Sequence, residues 1–262
     1  MAEPTRSSLN IMLSAWKALF LREALARISG GRARWVWVLL EPLVHQAFIT
    51  FMLVVIRQRV VAGMDVMTWV AIGVLTFFMF RRPAMQGLEA INANSAMFAY
   101  RQVRPVDTIF VRAALEAFLT FLIAMLVFAA LALLERRIAP DDPLMVMAAV
   151  FGMWLFGLGF ALALSVPCEL VDEVGKLVKF AMMPVYLVSC VIFPIQMVPY
   201  PFSQWLLYNP LLHGVEAARA GYSENYHAVQ GLDLAYLYTC AVYLIFIGLA
   251  LHVRFVSRLI AK

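Results

Sequence analysis

The chain has 262 residues, of which 64% are hydrophobic and 14% are charged, and its formal net charge is +5. Soluble domains usually carry about 25% charged residues, so the composition argues against a water-soluble domain. The basic residues lie between apolar runs rather than in one patch. That placement is typical of membrane topology, and no nucleic-acid partner is expected.

Residues 1–34 are predicted to form a cytoplasmic helix that lies at the membrane surface. Apolar side chains recur on one face at helical spacing, and Glu23 interrupts that face. A cap packed on a partner protein is the alternative. The segment is too charged for a secretory signal peptide and lacks a small-residue cleavage site. The apolar face comprises Leu9, Met12, Leu13, Trp16, Leu19 and Phe20.

Six apolar runs follow and predict six transmembrane helices, since a span needs about 20 mostly apolar residues. The second run stops early at Arg81, so we expect that helix to continue past its apolar part. The fold class is therefore an all-α integral membrane protein that forms one domain over residues 1–262. The predicted spans are residues 36–56, 64–84, 108–134, 144–168, 177–198 and 234–252.

Residues 199–233 are moderately apolar and are interrupted by Asn209 and Pro210. Each half is too short to span a membrane. Two short helices that enter the membrane and return would fit, because irregular backbone persists there when protein or a water-filled cavity covers it. We therefore predict a re-entrant segment before the last span.

The distribution of Lys and Arg predicts the orientation. With the N-terminus inside, the inner segments hold 16 of these residues and the outer segments hold 5. Both termini are therefore expected on the cytoplasmic side, which places residues 199–233 on the periplasmic side.

Cysteine, histidine and nucleotide-binding patterns predict neither a metal site nor a catalytic centre. The three cysteines and four histidines are scattered without metal-ligand spacing. Gly175-Lys176 resembles the end of a P-loop, but Leu170 replaces its first glycine and Leu177 its hydroxyl residue. If transport uses ATP, we expect a separate subunit to bind ATP and Mg²⁺ and to hydrolyse the nucleotide.

Charged residues near membrane depth are candidates for a substrate path. Arg112 and Glu116 are four residues apart and are expected to pair on one helix face, either as a structural pair or along the path. Glu41, just before Pro42, is expected to hold the start of the first span. Arg81 and Arg82 are topological anchors or contacts for an acidic polymer; both interpretations stay open. The tyrosines and phenylalanines form an interfacial belt or a surface on which sugar rings stack, namely Phe77, Phe78, Phe80, Tyr186, Phe193, Tyr200 and Tyr208.

Five sequence blocks in this order resemble ABC-2 type permeases of capsular polysaccharide export from Gram-negative bacteria. Residues 135–143 and 222–232 fall outside the resemblance. The blocks are residues 18–23 (ALFLRE), 39–42 (LLEP), 98–108 (FAYRQVRPVDT), 186–194 (YLVSCVIFP) followed by Pro199, and 207–213 (LYNPLLH) followed by Glu216 and Arg219.

The resemblance implies a type-2 ABC exporter in the bacterial inner membrane. Two permease copies would pair with two cytosolic ATPases, and a short coupling helix within residues 92–101 would contact the ATPase. The substrate would be a lipid-linked acidic polysaccharide, passed on to a periplasmic co-polymerase or adaptor.

The resemblance also suggests three groups of site residues. The coupling loop comprises Asn94, Met97, Phe98, Tyr100, Arg101 and Arg104. The translocation path comprises Glu41, Phe77, Phe78, Arg81, Arg82, Arg112, Glu116, Tyr186 and Phe193. The outer mouth comprises Trp205, Tyr208, Asn209, Pro210, His213, Glu216 and Arg219.

Three alternatives remain. The same fold serves in permeases for O-antigen, teichoic acid or drugs. A secondary transporter commonly shows inverted repeats and broken helices at the midplane; no repeat is evident in this sequence, and paired acidic residues in mid-span are absent. An intramembrane enzyme would need a cluster of His, Ser or Asp at one depth.

Overall fold

Helices make up nearly all of the computed structural model, which describes residues 8–29, 34–56, 60–99 and 103–260. One short antiparallel hairpin, in which Val60 pairs with Asp65 and Val61 with Met64, joins the second and third helices. The elements in order are α1 (Ser8–Ser29), α2 (Arg34–Ile56), β1 (Val60–Val61), β2 (Met64–Asp65), α3 (Val66–Leu88), α4 (Ala90–Ala93), a 3₁₀ helix (Ser95–Ala99), α5 (Pro105–Leu133), α6 (Pro143–Leu170), α7 (Asp172–Val188), a 3₁₀ helix (Ile195–Met197), α8 (Phe202–Leu206), α9 (Pro210–Tyr222) and α10 (Leu234–Ile260).

The long helices run back and forth between two ends of the molecule. The α1 end holds α1, α4, the start of α5 and the end of α10. The hairpin end holds the two strands, residues 134–142, α8, α9 and residues 223–233. Hydrogen bonds and ion pairs join elements within each end, such as Arg136 to Asp65 at 3.2 Å at the hairpin end and Trp16 to Asp107 at 3.0 Å at the α1 end.

Several helices begin where a side chain caps the backbone. Asp142 accepts from the Met145 amide at 3.0 Å, and Pro143 occupies the first helical position of α6. Asn209 caps α9 in the same way, again ahead of a proline. Proline suits the first turn because its missing N–H would have no helical partner there. The Asn209-Pro210 break in the sequence is therefore a helix start.

Four described helices are long and apolar enough to cross a membrane by length and composition, namely α3, α5, α6 and α10. The helix α3 continues past Arg81 to Leu88, as predicted. In α2 the apolar stretch is shorter, Leu39–Val55, and α7 has 17 residues. Six spans therefore remain a prediction.

The fifth predicted span is wrong in its boundaries, because α7 covers Asp172–Val188 and not residues 177–198. The Ser189 hydroxyl donates to the Val185 carbonyl, and Cys190 adopts a left-handed conformation with a φ of 53°. The prolines that follow, Pro194 and Pro199, cannot donate to a continuing helix. The chain therefore turns into irregular backbone before residue 198.

The helix α1 exists, but its packed face differs from the predicted stripe. Leu19 is buried, and Trp16 stacks on Phe110 of α5 with 5.7 Å between ring centroids. Met12 and Leu13 instead remain exposed, by 39% and 57%. The location of α1 at the membrane surface remains a prediction.

Glycines let α6 lie close to its neighbours α3 and α10. A Cβ at Gly157 would come within 2.6 Å of the Phe80 carbonyl oxygen of α3. On the other side, a Cβ at Gly248 would lie 2.7 Å from the backbone nitrogen of Ala163. Small residues at such crossings allow the backbone contact that drives helix association in lipid.

Replacing Gly248 by alanine should therefore separate α10 from α6. We expect Gly248→Ala to destabilise the protein by about 1–3 kcal/mol, as overpacked cores do, with a lower melting temperature in detergent. Gly175→Ala is the matched control, since its Cβ would meet nothing nearer than 4.0 Å and helix propensity favours alanine. Equal melting temperatures for the two variants would contradict the close crossing.

Candidate functional site

At the α1 end, two turns of α1 form ion pairs with two turns of α5. Glu23 accepts two hydrogen bonds from the Arg112 guanidinium, at 2.8 and 2.9 Å. One turn further along both helices, Arg27 pairs with Glu116. Each helix carries one acid and one base four residues apart, in opposite order, so the two pairs form together.

The Glu116 carboxylate also joins α3 to this network. Its side chain is fully buried, and it accepts from Arg82 at 2.9 Å. Arg27 donates to Gln86 of α3 as well, at 3.3 Å. A buried carboxylate is tolerated when cations and hydrogen bonds surround it, so the arrangement stabilises one relative position of α1, α3 and α5.

Glu23 is ionised in this setting. Burial opposes the charge, but the Arg112 guanidinium and a hydrogen bond from Asn94 outweigh it and hold the pKa of Glu23 below its usual value. A group with a lowered pKa contributes stability that is present above its ordinary pKa and is lost as the pH falls. The link between α1 and α5 is therefore intact at neutral pH.

These contacts correct the prediction that Arg112 pairs with Glu116. In the described part of the chain, each instead pairs with a residue of α1. The four-residue spacing places Arg112 and Glu116 on one face of α5. That face packs against α1, where Glu23 pairs with Arg112 and Arg27 pairs with Glu116.

A cavity of about 290 Å³ opens beside this network, between α1, α2 and α3. It brings together four residues of the predicted translocation path and adds others that the sequence did not single out. Its lining is Arg27, Glu41, Pro42, His45, Phe78, Arg81, Arg82, Met85 and Gln86.

The cavity is basic. Arg27 and Arg82 share Glu116, whereas Arg81 is exposed and pairs with no carboxylate among the ion pairs that the structure describes. Glu41 is also exposed, within α2 rather than at its start, which corrects its predicted position. The lining contributes three guanidinium groups and the Glu41 carboxylate, and Glu116 beside it adds a second carboxylate. The positive charge is in excess, so the cavity favours an anion.

Of the aromatic candidates, Phe78 alone lines this cavity. Phe77 and Tyr186 are buried behind it, with 5.0 Å between their ring centroids. Phe193 packs elsewhere, against the cluster of Cys190, Ile195 and Leu212. One chain therefore does not offer these four rings as a continuous surface for sugars.

The predicted coupling loop contains two short helical segments, α4 and a 3₁₀ helix. Asn94 and Phe98 are buried, whereas Arg104 is exposed at the start of α5 and Met97 is half-buried. The Asn94 amide donates to Glu23 Oε1 at 2.8 Å, so its side chain does not reach the surface. Tyr100 and Arg101 lie outside the described residues, and coupling to an ATPase remains a prediction.

At the hairpin end, the predicted outer-mouth residues divide into exposed and buried sets. Trp205 and Tyr208 are exposed by 64% and 77%. Asn209 and Pro210 start α9, and His213 is buried, where it accepts from the Asp233 amide at 3.0 Å. Entry of α8 and α9 into the membrane remains a prediction.

Glu216 and Arg219 do not line a mouth in this chain, which corrects their expected place. Both side chains are fully buried, and they pair at 3.1 Å. The Arg219 guanidinium carbon lies over the Trp69 ring, 3.6 Å from its centroid, and Arg219 donates to the Cys190 and Val191 carbonyls at 2.9 and 2.8 Å. This arginine therefore satisfies the backbone exposed where α7 ends.

The two segments outside the sequence resemblance contact each other at the hairpin end. Asp141 accepts from the Glu224 amide at 2.9 Å, and the Tyr222 hydroxyl donates to the Arg137 carbonyl at 2.8 Å. The Glu224 amide and Arg137 lower the pKa of Asp141. The His227 amide extends the contacts to the hairpin by donating to the Ala62 carbonyl at 3.0 Å.

Sequence reasoning missed the roles of Glu23, Arg27, His45 and Gln86. In the sequence, Glu23 interrupts an apolar stripe and ends one of the resemblance blocks, and Arg27 is one of the basic residues that predict the orientation. The signal available was the four-residue spacing in α1, which matches that of Arg112 and Glu116. His45 is brought to Tyr186 Oη, at 3.3 Å, only by the packing of α2 on α7.

The long apolar helices define an α-helical integral membrane protein, in which buried ion pairs join α1, α3 and α5 beside a basic cavity. A family model described as ABC-2 type transporter matches residues 14–222, which is most of the chain. The chain belongs to the ABC-2 type transporter family.

Three similar proteins extend the comparison. Polysialic acid transport protein KpsM of Escherichia coli is 29% identical over 247 residues, 94% of this chain and 95% of that protein. Capsule polysaccharide export inner-membrane protein CtrC of Neisseria meningitidis serogroup A is 27% identical over 91% and 89% of the two chains. Capsule polysaccharide export inner-membrane protein BexB of Haemophilus influenzae is 28% identical over 83% and 82%.

Proposed function

We propose that this chain is the permease subunit of an ATP-driven ABC transporter that exports lipid-linked capsular polysaccharide across the inner membrane to the periplasm. Membership of the ABC-2 family supports the transport role, and relatives aligned along most of both chains carry names of polysaccharide transport or capsule export. The observation that carries the substrate class in this chain is the basic cavity of Arg27, Arg81 and Arg82.

The cavity is suited to the acidic part of the substrate. A phosphate or sugar carboxylate can bind Arg81, which no described carboxylate pairs with, while Arg27 and Arg82 keep Glu116 and add to the positive potential of the cavity. Guanidinium groups favour such oxyanions because their N–H groups form paired hydrogen bonds. We place the cavity at the cytoplasmic side, where the polymer would enter. It lies beside α1 near the N-terminus, and both termini are expected on that side.

The working assembly would contain two copies of this chain and two cytosolic ATPases that bind ATP and Mg²⁺, with a periplasmic adaptor receiving the polymer. The segment of α4 and the following 3₁₀ helix would contact the ATPase. Asn94 lies beneath that segment and holds Glu23, which is one turn from Arg27 of the cavity. A displacement of this segment by the ATPase would thus shift α1 and, with it, the position of Arg27 in the cavity.

Purification of the tagged chain from native membranes tests the assembly. We expect an ATPase with a P-loop to co-purify in equal amount, since this chain has none, and polysaccharide-assembly proteins to accompany it. Mass spectrometry identifies the proteins, and ATP hydrolysis is assayed with and without the permease. Absence of any ATPase, in several detergents and in crosslinked membranes, would contradict the ABC assignment and favour a secondary transporter.

Neutralising Arg81 tests the cavity as the entry site. We expect Arg81→Gln to lower surface polysaccharide about tenfold, the effect of losing one charge-assisted hydrogen bond, while polymer accumulates inside the cell. Lys176→Gln, which removes an exposed charge outside the cavity, is the control and should export normally. Normal export by Arg81→Gln at equal protein level would remove the cavity from the substrate path.

Asn94 tests the transmission through α1. We expect Asn94→Ala to retain ATPase binding and hydrolysis, because the side chain is buried, but to export several-fold less polymer per ATP hydrolysed. Asn92→Ala changes the exposed surface of the same segment and is the matched variant. Equal loss of hydrolysis and export in Asn94→Ala would assign it a structural role only.

A further inference from the structure

A second cavity, of about 540 Å³, lies at the α1 end between the start of α5, the 3₁₀ helix after α4 and the last turns of α10. Its walls are apolar and include Val103, Pro105, Leu249 and Val256. We call it the α5–α10 groove. Its volume is within the range of about 300–1,000 Å³ that small-molecule sites occupy.

Two polar side chains interrupt the apolar lining. Arg104 is exposed at the rim, and no carboxylate in the described ranges forms an ion pair with its guanidinium. The nearby Asp107 carboxylate is already used by Arg104's own amide at 2.9 Å and by Trp16 at 3.0 Å. The groove therefore has at its mouth a cation that no carboxylate of the described residues neutralises.

The second polar group, His252, lies deeper. It is 5% exposed, about 12 Å along α10 from Ile260 at the rise of an α-helix. One ring nitrogen, Nε2, lies 3.1 Å from the Ser165 hydroxyl, whereas Nδ1 has no hydrogen-bond partner among the described residues. The Nδ1 atom is itself buried, so Arg104 is the polar group that the groove presents at its mouth.

The groove opens towards the membrane. Val253 of its α10 wall is 79% exposed, and the rest of α10 is apolar enough to span a bilayer. An apolar wall beside a cationic rim matches a molecule with an acyl chain and an anionic headgroup. An apolar protein helix would leave Arg104 unpaired, and a free anion would leave the wall uncovered. Basic pockets between membrane helices bind anionic lipid headgroups for the same reason.

We propose that the α5–α10 groove binds one anionic phospholipid of the leaflet at the α1 end, with its phosphate on Arg104 and an acyl chain along α10. The inference needs only a chain in a membrane and does not depend on the exported substrate. Phe98 of the segment after α4 also lines the groove, so a bound lipid packs against that segment.

Lipid retention by the full-length chain tests the site. The chain is reconstituted in phosphatidylcholine nanodiscs with a minor fraction of phosphatidylglycerol and re-extracted, and mass spectrometry then counts the retained lipids. We expect phosphatidylglycerol to be retained over phosphatidylcholine. Arg104→Gln should lower its retention about fivefold, the effect of one basic group near a membrane surface. Val253→Trp, which fills the exposed wall, should also lower it.

Arg254→Gln is the matched control, because Arg254 lies at the same end of α10 but does not line the groove. If Arg104→Gln and Arg254→Gln lose phosphatidylglycerol equally, general surface charge explains the retention, and the proposed site is wrong. Equal retention of phosphatidylglycerol and phosphatidylcholine by the unmodified chain would contradict a preference for anionic lipid. Displacement by inorganic phosphate would assign the rim to a free anion, and a disulfide between two Val253→Cys copies would assign the groove to a second copy.

Discussion

The position of α1 depends on two ion pairs that bind it to α5. Glu23 and Arg27 present opposite charges one turn apart, and Arg112 and Glu116 present the complementary charges on α5. Charges at or near membrane depth are costly unless they are paired. Neither helix can slide by one turn without placing like charges together, so the pairs determine the register as well as the contact.

The same network connects two regions to which we assign different roles. Arg27 and Arg82 extend from Glu116 to the basic cavity, and Asn94 extends from Glu23 to the segment that we assign to the ATPase. Since α1 carries both Glu23 and Arg27, a displacement at one region would change the contacts at the other. The ion pairs would thus hold the resting position and transmit a change in it.

The hairpin end uses the same chemistry for a different purpose. Arg219 and Glu216 are fully buried, yet each guanidinium nitrogen of Arg219 donates a hydrogen bond. The acceptors are the carbonyls of Trp69, Cys190 and Val191 and the Glu216 carboxylate. Gly73 lies against this guanidinium, where a Cβ would come within 2.2 Å. A buried pair of this kind stabilises irregular backbone that has lost its helical hydrogen bonds, and it connects α9, α3 and the end of α7.

The long apolar runs could be recognised from the sequence because hydrophobicity and length are local properties. They predicted the membrane class, the approximate positions of α3, α5, α6 and α10, and the break at Asn209-Pro210. The spacing of Arg112 and Glu116 also identified a charged helix face. The sequence blocks, taken together, identified the family that the comparison confirmed.

The tertiary structure decided which charges meet. Arg112 and Glu116 can pair with each other on one helix, and local spacing cannot exclude that pairing; packing of α1 against α5 replaces it with two interhelical pairs. The early end of α7 likewise depends on Arg219, far along the chain, which binds the freed carbonyls. Arg104 and His252 come together only because the start of α5 meets the end of α10. Partner choice among buried charges is a long-range property, since it depends on which helices exclude water from each other.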